Sequence, residues 1–150
     1  MNYIKEAENY LWYYHDLYRS IENLDRQISR LIAKAGPKMS VIKFDETGVK
    51  TGHYDDAFNI LFEIQKLTEA KQKTLTALND VEEILEEISV EPGCELYGQV
   101  LRKWYIEKVP KDDLAEQLGY SSRRSVYEIK NRAIRKFAVR LFGLEALQVV

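Results

Sequence analysis

Seven cationic side chains, Arg123, Arg124, Lys130, Arg132, Arg135, Lys136 and Arg140, stand between Ser121 and Arg140 with Glu128 as the one carboxylate among them. Guanidinium and ammonium groups at this density neutralise phosphates, and a block of them on one helix is the electrostatic footprint of a nucleic-acid surface. Arginine also makes paired hydrogen bonds to guanine O6 and N7, and glutamate accepts from cytosine N4. Arg123, Arg124, Tyr127 and Glu128 are therefore the candidates for base-edge contact, and Lys130, Asn131 and Arg135 those for the sugar-phosphate backbone. The competing reading, a solvated helix face, holds for most charge runs. For Arg132 and Lys136, pairing with the acidic preceding helices weighs as much as DNA contact. Bond-making chemistry has little to stand on. His15 and His53 are isolated, Cys94 has no histidine at a recognisable spacing, and no glycine-rich phosphate loop or paired metal-ligand pattern occurs. The expectation is a protein that is not an enzyme and needs neither metal nor cofactor.

The elements that must position these side chains have the outline of a helix-turn-helix. Leu114, Ala115 and Leu118 mark a short helix, Gly119-Tyr120-Ser121 a corner, and Val126, Ile129, Ala133, Phe137 and Leu141 one stripe of a longer helix, in steps of three and four. Gly119 can take the left-handed conformation that leaves a helix. Ser121 or Ser122 can cap the next one by accepting a backbone N–H bond. In such a motif the N-terminal half of the second helix, here starting near Ser122, enters the major groove. Before it, Leu96, Val100, Leu101, Trp104 and Tyr105 mark a helix over about 96–107, and Val109-Pro110 turns the chain.

The net charge of -2 conceals an asymmetry: residues 1–90 carry 11 Lys+Arg against 16 Asp+Glu, and residues 91–150 carry 11 against 8. With 45% hydrophobic and 31% charged residues the composition is that of a globular protein. No apolar run approaches the roughly 18 residues that cross a bilayer, so no membrane is expected. The opening MNYIKEAENY has neither a basic leader nor an apolar core, so no secretory signal is expected. A single cysteine fits a reducing, cytoplasmic setting.

In the acidic half, Ala7, Tyr10, Tyr14, Leu17, Ile21, Leu24, Ile28, Leu31 and Ala35 follow a heptad-like spacing and predict one long amphipathic helix over about 3–35. Trp12 and Tyr13 fall off its stripe and are candidates for an intersubunit or interdomain contact. Gly36-Pro37 is expected to stop it. Residues 36–54 read as a loop or a small β-hairpin. A second long helix follows over about 55–89, carrying Ala57, Leu61, Ile64, Leu67, Leu78, Val81, Leu85 and Ile88, with Lys71 and Thr74 as a polar break that can fix register. The expected fold is all-α: an antiparallel helical hairpin over 1–90 that pairs two copies as a homodimer, then a helix-turn-helix domain over 91–150, with the border at Glu91-Pro92-Gly93.

Arg102-Lys103-Trp104-Tyr105, Asp113-Leu114-Ala115-Glu116-Gln117-Leu118-Gly119 and the run from Ser125 to Phe137 resemble region 4 of bacterial sigma factors, over about the last third of the chain. By that resemblance Arg123, Arg124, Tyr127 and Glu128 match the DNA-reading positions, and RNA polymerase is an implied partner. Two departures stand out: Gly119 to Val126 is one residue longer than the usual spacing, and Tyr127 replaces a common arginine. Nothing upstream resembles the sigma segment that melts DNA. The whole layout is similar to the phage and prophage transcription regulators of the RinA and ArpU kind, which implies late-gene regulation in a bacterial host. Two other classes compete with that expectation. An RNA polymerase-binding interaction protein would touch DNA little, and a small-terminase-like packaging subunit would form a ring.

Overall fold

The computed structural model describes the backbone of residues 2–44 and 52–148 and the side chains of 2–36 and 56–147. Those residues are helical, with no strand among them: α1 (Tyr3–Trp12), α2 (Tyr14–Phe44), α3 (Gly52–Ser89), α4 (Tyr97–Leu101) running on as a π-helical turn (Arg102–Ile106), α5 (Lys111–Leu118), α6 (Arg123–Phe142) and a closing 3-10 turn (Gly143–Gln148). None of the helices among the described residues is long and apolar enough to cross a membrane.

Three boundaries differ from expectation. The predicted first helix is two helices, because Tyr13 adopts φ -95, ψ 15 while its N–H returns to the carbonyls of Asn9 and Leu11, closing α1 before α2 begins. Gly36-Pro37 does not stop α2, whose helical backbone continues to Phe44. A proline inside a helix removes one hydrogen bond and crowds one carbonyl, which bends a helix as readily as it ends one. Val41 to Phe44 and Gly52 to Tyr54 are thus helical rather than loop or strand, and the remainder of the expected turn, residues 45–51, lies outside the described residues. Finally, the helix expected over 96–107 changes pitch at Arg102, where five residues are wound as a π-helical turn.

The chain forms two compact units, Met1–Asp16 with Ala77–Val150, and Leu17–Thr76. They fall differently from a border at residue 90, because Val81, Leu85 and Ile88 at the end of α3, and Ala7 and Leu11 of α1, are fully buried in one core with the C-terminal helices. In this first unit α6 lies at the centre, packed by α1, α4 and α5. Its buried face is wider than the predicted stripe: Ile134 and Ala138 join Val126, Ile129, Ala133 and Phe137. Tyr3 and Tyr10 of α1 meet Phe142 at ring-centroid distances of 5.2 and 6.2 Å. Gly98 lets α4 approach α3 closely, since a Cβ there would stand 2.9 Å from the Leu85 carbonyl oxygen and also meet the Ser89 hydroxyl.

Ion pairs fasten the same unit. Arg102 holds Glu82 of α3 in a two-pronged pair, with 3.1 Å from Nη1 to Oε1 and 2.6 Å from Nη2 to Oε2, and the Tyr14 hydroxyl donates to Glu82 Oε1 at 2.8 Å. Lys136 pairs with Glu91, and Arg140 with both Glu87 and Glu91. In the second unit Lys71 of α3 pairs with Asp25 of α2 at 2.6 Å, so the polar break foreseen at Lys71 has a partner. Gln27, Arg30 and Leu31 of α2 line one groove with Glu63, Lys66, Leu67 and Ala70 of α3.

Candidate nucleic-acid interface

The corner between α5 and α6 follows from its residues. Asp112 and Asp113 occupy the first turn of α5, where carboxylates oppose the positive end of the helix dipole. The helix ends at Gly119, whose φ of 78 is the left-handed conformation a side chain would resist. The Gly119 N–H bonds the Glu116 carbonyl at 3.1 Å and the Tyr120 N–H bonds that of Ala115 at 2.8 Å, satisfying carbonyls the helix end leaves free. Of the two serines, Ser122 is the cap: it is extended, and its hydroxyl accepts from the Ser125 N–H at 3.4 Å. α6 then starts at Arg123.

Opposite the buried face, Arg124, Glu128, Asn131 and Arg135 recur in steps of four, three and four and form one exposed stripe. Arg124 is 89% exposed and pairs weakly with Glu128, 3.3 Å from Nε to Oε1. Among the described residues Arg132 and Arg135 have no carboxylate partner. They line, with Glu128, Asn131, Ile134 and Ile4 of α1, a groove of about 520 Å³ along this side of α6. The structure thus brings Arg124, Glu128, Asn131 and Arg135 together. The alternatives weighed for Arg132 and Lys136 divide between them, Lys136 being paired with Glu91 and Arg132 free of such a pair.

Arg123 and Tyr127 are engaged elsewhere. Arg123 grips Asp112, with 2.6 Å from Nε to Oδ1 and 3.0 Å from Nη2 to Oδ2. The pair holds the Asp112 carboxyl below its ordinary range and raises the guanidinium. The Tyr127 ring is 42% exposed and stands edge-on to Trp104, 4.9 Å between centroids. Lys130 is half-buried with its ammonium 4.9 Å from the Trp104 ring, where burial lowers its pKa, the charge of Glu8 opposes that shift and the charge of Lys111 adds to it. Lys111 at the start of α5 lies over the same ring at 4.6 Å. Neither Trp104 nor Lys111 stood among the sequence candidates. From spacing Trp104 belongs to an inner helix face, and Lys111 carries no local signal that places it beside the indole.

No protein-family model, curated protein or solved structure matches this chain.

Proposed function

We propose that the chain is a sequence-specific DNA-binding transcription regulator that inserts the N-terminal half of α6 into the major groove. The observation that carries this reading is the exposed stripe Arg124, Glu128, Asn131 and Arg135, on a helix whose other side is anchored in the core and whose leading end is open to solvent. At 1.5 Å per residue the stripe is about 16 Å long, a length that suits several consecutive base pairs. Its chemistry is mixed in the way readout requires: a guanidinium for guanine, a carboxylate for the cytosine amine, and an amide that can bond adenine at N6 and N7. Arg132 and Arg135 supply phosphate neutralisation, which gives affinity without sequence information. The α5–turn–α6 unit is read as a helix-turn-helix of sigma region 4 type, and the chain as a regulator of phage or prophage origin with RNA polymerase as a further partner in the host cytoplasm.

α2 and α3 are read as an antiparallel hairpin, which the Lys71–Asp25 pair and their shared groove favour. Ile32 and Phe62, 56% and 69% exposed, give this unit apolar surface for a second copy, so two reading helices would address two half-sites. Selection of bound fragments from a random duplex pool tests the reading, with mass measured by light scattering in parallel. A recovered consensus with two repeated half-sites and a dimeric mass are the expected results. Recovery of no sequence preference would overturn it.

A further inference from the structure

Two ammonium groups share one indole in the first unit. Lys111 Nζ lies 4.6 Å and Lys130 Nζ 4.9 Å from the centroid of Trp104, and Tyr127 closes the edge of the ring. The lysines come from different helices, one from the first turn of α5 and one, half-buried, from α6 between the buried Val126 and Ile134. Like charges gathered on one ring repel, and the ring's negative face offsets only part of that. The carboxylate whose charge reaches Lys130, Glu8, also accepts from the Tyr105 hydroxyl at 2.7 Å and keeps its negative charge. Trp104 is itself only 9% exposed and is carried by a π-helical turn, a rare winding that often marks functional positions. The arrangement therefore gathers two cations at one ring, with the carboxylate of Glu8 near enough to act on one of them.

Around α6, Tyr127 borders the stripe formed by Arg124, Glu128, Asn131 and Arg135 on one side and Arg132 on the other, and Lys130 lies beyond Tyr127 toward the buried face. A helix seated in a major groove has a phosphate strand along each shoulder. We propose that Lys111 and Lys130, supported on the Trp104 indole with Tyr127 at its edge, clamp a backbone phosphodiester of duplex DNA on the α5 side of the reading helix. The proposal rests on the DNA-binding reading above and adds to it a contact that fixes register without reading sequence. It also gives Tyr127 a role in shaping the clamp rather than in touching a base edge.

The test is anisotropy titration of the full chain, as wild type, Lys111→Gln, Lys130→Gln and Arg124→Ala, on a duplex of the selected sequence and on a scrambled duplex, across a range of salt. Both lysines are partly exposed, and circular dichroism checks that each variant keeps its helix content. Each lysine variant is expected to weaken both duplexes by the same factor and to reduce the slope of log K against log salt, by at most the roughly 0.9 that belongs to the one phosphate clamped. Arg124→Ala is expected to weaken the selected duplex alone. Unchanged slopes for both lysine variants, with Arg124→Ala still selective in its effect, would overturn the clamp and leave the DNA reading standing. Absence of duplex affinity in the wild type would overturn both.

Discussion

Arg123 and Asp112 join the first turn of α6 to the first turn of α5 through two parallel hydrogen bonds of 2.6 and 3.0 Å. The arginine that comes first in the basic block is thereby paired across the corner while 62% exposed, and its neighbour Arg124, 89% exposed, pairs only along its own helix with Glu128.

This pair separates two arginines that a sequence cannot rank. Arg124→Ala is expected to reduce the preference for the selected duplex over a scrambled one by about 1–3 kcal/mol, the worth of a good paired contact to a base. Arg123→Ala is expected to lower it by less. Competition binding with the two duplexes measures both. Equal losses would show that Arg123 leaves Asp112 to read a base.

Glu82 predicts a pH dependence. Its carboxyl is lowered by Arg102 first and by the Tyr14 hydroxyl in addition, with burial opposing. A depressed carboxylate stabilises the fold above its unfolded pKa, and the contribution is lost as pH falls through the folded value. Glu82→Gln is expected to cost about 1 kcal/mol at neutral pH, a modest figure because the pair is about one-third exposed. In urea titrations wild type and variant should converge below the carboxylate range. A difference that persists at low pH would point to packing instead.

Leu11 tests the partnership of α1 with the C-terminal helices. It is fully buried in their core, so Leu11→Ala is expected to destabilise the unit by about 2–5 kcal/mol. A fragment of residues 91–150 would lack α1 and the end of α3 and is expected to show little cooperative unfolding. A fragment that melts as sharply as the full chain would contradict this account of the core.

Much of this architecture can be read from spacing, and the remainder depends on partners that spacing does not name. Val126, Ile129, Ala133 and Phe137 declare a buried face because one helix's own period aligns them, and Gly119 and Ser122 declare a corner through local backbone chemistry. Ile134 and Ala138 are buried in a core that includes α1, more than a hundred residues earlier, so their own neighbours in the chain do not announce it. Ala7 and Leu11 show the converse: their period is plain, but it equally suits packing on α3 alone. The basic block is visible as a count, yet the division into Arg123 holding Asp112, Lys136 holding Glu91 and Arg132 and Arg135 without a carboxylate partner among the described residues depends on where carboxylates from other segments arrive. The π-helical turn at Arg102–Ile106, which brings Trp104 to Lys111 and Lys130, breaks a regular helical pattern without a glycine or proline to mark it.

Gly98 marks the closest crossing of α3 and α4. Gly98→Ala is expected to cost about 1–3 kcal/mol, the usual penalty for overpacking, because the Leu85 carbonyl oxygen cannot move without bending α3. Adding Ser89→Ala removes the other obstacle and is expected to restore part of the loss. Thermal melts of the single and double variants check this, and full recovery would show that the serine alone sets the limit.

The most direct measurement is the salt dependence of binding to the selected duplex, comparing wild type with a variant in which Arg124, Arg132 and Arg135 are all alanine. The expected results are steep loss of wild-type affinity with salt and, for the triple variant, a shallower slope and a reduced preference between selected and scrambled duplexes. Identical slopes and identical preference in the two proteins would contradict the assignment of this face of α6 to DNA.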